Sequence, residues 1–223
     1  MGIEAIFPHD LFPELGLTIK DTVLQTWIVM AILAGLAIWS SKKYSLWAPK
    51  RWQLALEYIV EYVEGLVFDM SGRAIPEIVP YLTTMISYIA IANLLGLIPM
   101  FQAPTRDLNT TLALSLTSWA SCQYFGYRKR GVVGQLRSYI EPAAFMLPLN
   151  LLGQFSRILS MALRLFGNIL AGEIIGGVMF MLVPLLAPLP LNLLGMVTSV
   201  LQALVFTMLT LVFVVDAIGS DES

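Results

Sequence analysis

QFSRILSMALRLFGNILAGEIIG, residues 154–176, sets Arg157, Arg164 and Glu173 inside an apolar run long enough to lie wholly within a membrane. A charged side chain at the centre of such a segment costs roughly 2.5–3.5 kcal/mol on the insertion scale. Charges retained there face protein or water and mark ion paths. The stretch belongs to a longer apolar segment, 143–183, which is followed by another, 191–217. At ~1.5 Å per residue the first would reach roughly 60 Å, about twice the hydrocarbon thickness, so it must tilt steeply or break. Pro148 and the Gly176, Gly177 pair are the expected bend points, and Pro184, Pro188 and Pro190 form the hairpin to the final segment.

The rest of the chain has the same character. With 57% hydrophobic and 13% charged residues it is too apolar for an ordinary soluble domain. A formal net charge of -2 gives no electrostatic basis for a nucleic-acid partner. One cysteine, Cys122, excludes a disulfide within the chain, and one histidine, His9, excludes a multi-histidine metal site. Nothing in the sequence points to a metal or cofactor, and no glycine-rich phosphate loop is present. The first twenty residues carry Glu4, Asp10 and Glu14 without a basic region ahead of an apolar core. No cleavable leader is expected there, and the first apolar helix would act as its own insertion signal.

Residues 22–40 form the first predicted span, with Trp27 and Trp39 as interfacial anchors. Residues 52–70 repeat Glu57, Glu61 and Glu64 among apolar positions at helical spacing, which predicts an amphipathic helix lying in the interface. Spans at 77–100, with Asn93 in mid-segment, and at 108–127 follow, and Asp107 between them is placed to cap the next helix. Lys42, Lys43, Lys50 and Arg51 make one basic cluster, and Arg128, Lys129, Arg130 and Arg137 a second. These hold eight of the thirteen Lys and Arg, all on one predicted side. The positive-inside rule makes that side cytoplasmic, with the N-terminus outside and the C-terminus inside. The expected fold is an all-α integral membrane protein, one polytopic domain over 1–223. It has about five membrane-embedded helices plus one interfacial amphipathic helix, the last two helices forming a long, strongly tilted hairpin.

On an ideal helix Arg157 and Arg164, seven positions apart, lie within roughly 20° of one another, and Ser160, Asn168 and Ala171 fall near the same stripe. Glu173, nine positions beyond Arg164, points about 180° away. An ion pair between them within one helix is therefore disfavoured, since such pairs need a spacing of three or four. A guanidinium stays protonated and suits a fixed barrier, whereas a carboxylate can gain and lose a proton and suits a relay. On the last helix Gly195, Thr198, Ser199 and Gln202 share one side, where small residues permit close packing. Gln202, a full amide in apolar surroundings, is expected to hydrogen-bond across to the charged helix.

LRLFGNILAGE at 163–173, preceded by FSRILS and followed by LQALVFTMLT, resembles subunit a of bacterial-type F-type ATP synthases, as does PTRDLNTTLALSL at 104–116. The resemblance runs over most of the chain from about residue 20. It implies a non-catalytic stator forming two ion half-channels against a ring of c subunits, with peripheral-stalk b subunits and the remainder of an F1Fo complex as further partners within the lipid bilayer. By that resemblance Arg164 is the essential arginine facing the ring carboxylates, and Asn168, Glu173 and Gln202 are polar residues near it on the ion path. Arg157, placed on the same stripe, joins them, and Asn93, Asp107, Asn150, Asn192 and Ser199 are further polar positions expected along the access paths. Two positions depart from the family pattern: Gly195 stands where an ionisable residue often complements Glu173, and Asn150 where a glutamate is common. Glutamate at 173 suggests a bacterial inner membrane or, alternatively, a plastid thylakoid. The coupling ion is proton or, as an alternative, sodium. An independent secondary transporter is a less favoured reading, since no internal repeat is found.

Overall fold

A computed structural model of the chain describes residues 10–12, 17–43, 51–96, 101, 103–140, 146–182 and 188–219. Six helices dominate these residues: α1 Asp21–Lys43, α2 Arg51–Ser71, α3 Val79–Leu95, α4 Leu108–Ile140, α5 Met146–Leu182 and α6 Pro188–Ile218. A short antiparallel hairpin, β1 Asp10–Phe12 and β2 Leu17–Lys20, precedes α1 and was not anticipated from the sequence. The fold is that of an all-α membrane protein. By length and composition α1, α5 from Leu147 and α6 from Leu193 are long and apolar enough to cross a bilayer, and α3 is a shorter apolar helix.

Each helix end has a local cause. Asp21 opens α1, accepting the Thr22 amide at 2.9 Å, and Lys42 and Lys43 close it, so both ends complement the helix dipole. Helix α2 ends at Gly72, whose φ of 67° and amide bond to the Phe68 carbonyl form a left-handed cap. Pro80 sits in the first turn of α3, where its missing N–H has no partner to lose. Asp107 caps α4 by accepting the Asn109 amide at 3.0 Å.

The third predicted span, 108–127, lies within the first of two helical segments of α4, which meet at a kink at Gly131 (φ 74°), the second running on to Ile140. Of the two alternatives for 143–183, a steep tilt or a break, no break occurs among the described residues: α5 is unbroken through Pro148 and through Gly176 and Gly177. Pro148 lies in the first turn, where proline is tolerated, and paired glycines lower helix propensity without forbidding the conformation. At 37 residues α5 is roughly 55 Å long, so it fits its apolar length into a bilayer only when inclined. Residues 183–187 of the predicted hairpin lie outside the described residues, and Pro188 and Pro190 occupy the first turn of α6.

The core lies between α3, α4, α5 and α6. Val63, Val67, Leu82, Phe125, Leu211 and Val214 form one buried cluster, and Met85, Ile89, Met161, Leu165, Ala203 and Phe206 a second. Helix α4 turns hydroxyls inward as well: Thr111, Ser115 and Ser118 are buried, and the Ser118 and Thr210 hydroxyls bond across to α6 at 2.7 Å. Helix α2 buries only Gln53, Val63 and Val67, leaving Glu61 and Glu64 exposed, as an amphipathic helix packed along one edge should.

Candidate functional site

Helix α5 carries the three charges, and its packing decides which way each one faces. Its buried positions are Met161, Ala162 and Leu165, at helical spacing against the second core cluster. The opposite side is open: Ser160, Arg164, Asn168 and Ala171 are all exposed. Among the described residues no hydrogen bond or ion pair reaches Arg164 or Asn168. A Cβ added at Gly167 or Gly172 would meet nothing within 4 Å, so this face is smooth as well as uncovered.

At one end of α5, Glu173 is half-buried and turned toward Arg106, whose Nη1 lies 3.9 Å from its Oε2. Arg106 belongs to the 3-10 turn Pro104–Arg106 and is only 4% exposed, so its charge is compensated by protein rather than by solvent. Its Nη2 donates to Asp21 Oδ2 on α1 at 3.3 Å, while its Nε is buried without a partner among the described residues. Around this ion triad lies a buried polar network. Thr22 Oγ1 donates to Asp107 Oδ2 at 3.2 Å, Thr105 Oγ1 to Asn93 Oδ1 at 2.7 Å, and Asn93 Nδ2 to the Ser199 carbonyl at 3.4 Å. Five elements, α1, α3, the 104–106 turn, α5 and α6, are joined there by polar contacts.

Near the other end of α5, sixteen residues or roughly 24 Å before Glu173, Arg157 stacks on α6, its guanidinium carbon 3.7 Å from the centre of the Phe213 ring. It lines a cavity of about 400 Å³ with Gln123, Arg130, Asn150, Gln154 and Asp216. Roughly 10–15 Å³ admits one water, so this space has room for many. Behind Arg157 and Phe213 a second cavity, of about 10 Å³, is lined by Ser115, Ser118 and Met161. Arg157, Phe213 and Cys122 border both cavities.

The sequence-selected residues thus divide into three groups. Glu173, Asn93, Asp107 and Ser199 gather around Arg106, Arg157 and Asn150 line the far cavity, and Arg164 and Asn168 stand on the open face. The side chain of Asn192 lies outside the described residues. The bond expected from Gln202 to the charged helix is not made: its amide nitrogen is buried with no partner among the described residues. Burial on α6 is satisfied by packing, and the neighbouring polar contacts go to Asn93 and the Ser199 carbonyl instead.

Asp21, Thr22, Thr105 and Arg106 were missed. Asp21 stands one residue ahead of the first predicted span and Arg106 in the loop between the second and third, and neither was singled out. The available signal was topological: the start of α1, the loop before α4 and the later part of α5 all fall at one predicted membrane level, with charges of opposite sign.

This geometry defines a class: a multi-pass helical membrane protein whose longest helix holds a bare arginine between two polar zones. Residues 23–215 match the family model described as ATP synthase A chain. The chain is 38% identical over 201 residues to "ATP synthase subunit a 2" of Picosynechococcus sp., covering 89% of this chain and 86% of that protein. It is 39% identical over 202 residues to "ATP synthase subunit a 2" of Bradyrhizobium sp., covering 91% and 90%. Against "ATP synthase subunit a" of Legionella pneumophila it is 33% identical over 222 residues, covering 100% of this chain and 96% of that protein. The chain belongs to the ATP synthase subunit a family.

Proposed function

We propose that this chain is the ion-conducting stator of the Fo sector, forming two half-channels against a ring of c subunits and coupling proton flow to rotation. The observation that carries the reading is the bare Arg164 on the open face of α5. A permanent cation with no protein partner among the described residues, in an apolar helix, calls for a partner outside the chain, and a carboxylate moving past it meets that need. The Arg106 network supports an access path from one side, and the cavity at Arg157 supports a path to the other. Protons would enter by the first, neutralise a ring carboxylate, travel round with the ring through lipid and leave by the second, with Arg164 separating the two. The chain catalyses no nucleotide chemistry, and peripheral-stalk b subunits would hold it against the ring. The basic clusters support a bacterial inner membrane with the Arg106 network facing outward and the Arg157 cavity facing the cytoplasm.

The test is Arg164→Lys in the assembled complex, which keeps the charge but loses the planar fork. Ion-driven ATP synthesis is expected to be abolished while the complex still assembles. Normal coupled synthesis would overturn the assignment. Synthesis by the unaltered complex is expected without added sodium, and an obligatory sodium requirement would overturn the choice of proton.

A further inference from the structure

The ionisable residue expected to complement Glu173 from position 195 is a glycine here, and its charge partner comes from elsewhere in the fold. That partner is Arg106, on the turn before α4. The 3.9 Å separation from Glu173 is an ion-pair distance but not a hydrogen bond, whereas Asp21 is held at 3.3 Å. Arg106 is therefore anchored through one arm of its fork to α1 and extends the other toward α5. Its buried Nε has no partner among the described residues, which leaves donor capacity that those neighbours do not use. The charged groups at this level are Asp21 on α1, Arg106 and Asp107 beside the turn, and Glu173 on α5. Residues 79–95, 108–127 and 188–215 of α3, α4 and α6 contribute none.

We propose that Arg106, fixed by Asp21, is a positioning residue of the outer ion path, engaging the Glu173 carboxylate when it is ionised and releasing it when a proton arrives. The inference rests on the reading of this chain as an ion path. In the engaged state the guanidinium closes on the carboxylate and orients it toward the Arg106 network. A proton delivered from the aqueous side bonds to a Glu173 oxygen and cancels the attraction, and the neutral carboxyl turns toward the ring. Loss of that proton to the next acceptor restores the pair. The guanidinium itself never gives up a proton, so the exchangeable proton of the pair is the one on Glu173.

The experiment compares Arg106→Gln, Arg106→Lys, Asp21→Asn, Glu173→Gln and the Arg106→Gln/Glu173→Gln double variant in the complete synthase in proteoliposomes. Assembly is checked by co-purification, and ATP synthesis is measured against the pH of the outer compartment. Arg106→Gln is expected to slow synthesis about tenfold, one factor of ten being ~1.36 kcal/mol in a barrier. Its pH profile moves from that of the unaltered complex, and Arg106→Lys recovers most of the rate. In the Glu173→Gln background Arg106→Gln costs nothing more, and the two profiles coincide. A full tenfold loss in that background, or an Asp21→Asn variant reproducing the whole defect with an unmoved profile, would make Arg106 a tether for α1 and overturn the proposal. Arg164→Lys, measured alongside, separates the two readings: retained coupling there removes the ion path itself, whatever Arg106 does.

Discussion

The Arg157 guanidinium carbon sits over the Phe213 ring, 3.7 Å from its centre, and both side chains border the wide cavity. A cation over an aromatic face is held by about 0.5–2 kcal/mol, depending on its desolvation. Phe213→Leu keeps apolar bulk but removes that hold, and Arg157 is then free to swing into the cavity. Cys122, the one cysteine, borders both cavities and donates its Sγ–H to the Phe213 carbonyl at 3.0 Å. Its labelling by a small water-soluble thiol reagent is expected to quicken in the variant, roughly 5- to 30-fold if 1–2 kcal/mol is lost. Equal rates in the two proteins would show that the ring does not close the passage.

Ser118 and Thr210 exchange a buried hydrogen bond across α4 and α6. Between membrane helices such bonds couple by about 0.6 kcal/mol on average, and at most about 1.7. Thr210→Val should lower the thermal midpoint in detergent by that order, and Ser118→Ala with Thr210→Val should be less than additive. Additive losses would place the stabilisation in packing instead.

Gly96, just past the end of α3, packs against Ala103, the residue before the turn that carries Arg106. A Cβ there would meet the Ala103 backbone nitrogen at 3.0 Å and its Cα at 3.1 Å. Backbone yields less readily than a side chain, and overpacking of this kind costs about 1–3 kcal/mol. Gly96→Ala is expected to displace the 104–106 turn, loosening the Thr105–Asn93 bond and slowing ion uptake from the Arg106 side. A variant with unaltered stability and unaltered uptake would contradict this.

Gly219 ends α6 at φ 82° and lies directly beneath the Arg130 guanidinium, which donates to the Ile218 and Asp216 carbonyls. A side chain at 219 would meet both a left-handed backbone, costing roughly 1–2 kcal/mol, and the arginine itself. Gly219→Ala should destabilise the complex more than Arg130→Gln does, because it loses the cap as well as the backbone preference. The reverse order, read from detergent-induced dissociation, would refute the cap.

The helices were legible in the sequence because apolar length and capping residues are local signals: Asp107 was read as a cap, and the Asn109 amide binds it. The helical wheel also separated Arg164 from Glu173 correctly, since both sit on one unbroken helix. Contacts between elements were not legible in the same way. No spacing rule links Asp21 to Arg106 eighty-five positions later, and an arginine in a loop is usually solvated. Gln202 shows the converse error: a polar side chain on an apolar helix predicts that a partner is needed, but not which helix supplies one. Whether 143–183 tilts or breaks was left open by the sequence, because glycine pairs and an early proline permit bending without enforcing it.

That continuity has a mechanical consequence. With no hinge between Arg157 and Glu173, the helix is a stiff beam, and the intervals of roughly 10 Å and 13 Å between its three charges are fixed by its rise. Sideways load from a rotor passing Arg164 would be carried to the stacked ring at one end and to the Asp21-anchored guanidinium at the other, rather than dissipated in a flexing joint. On the proposed stator role, the part that resists torque and the part that meters ions would be one rigid body, and the distances that govern leakage would not vary with load.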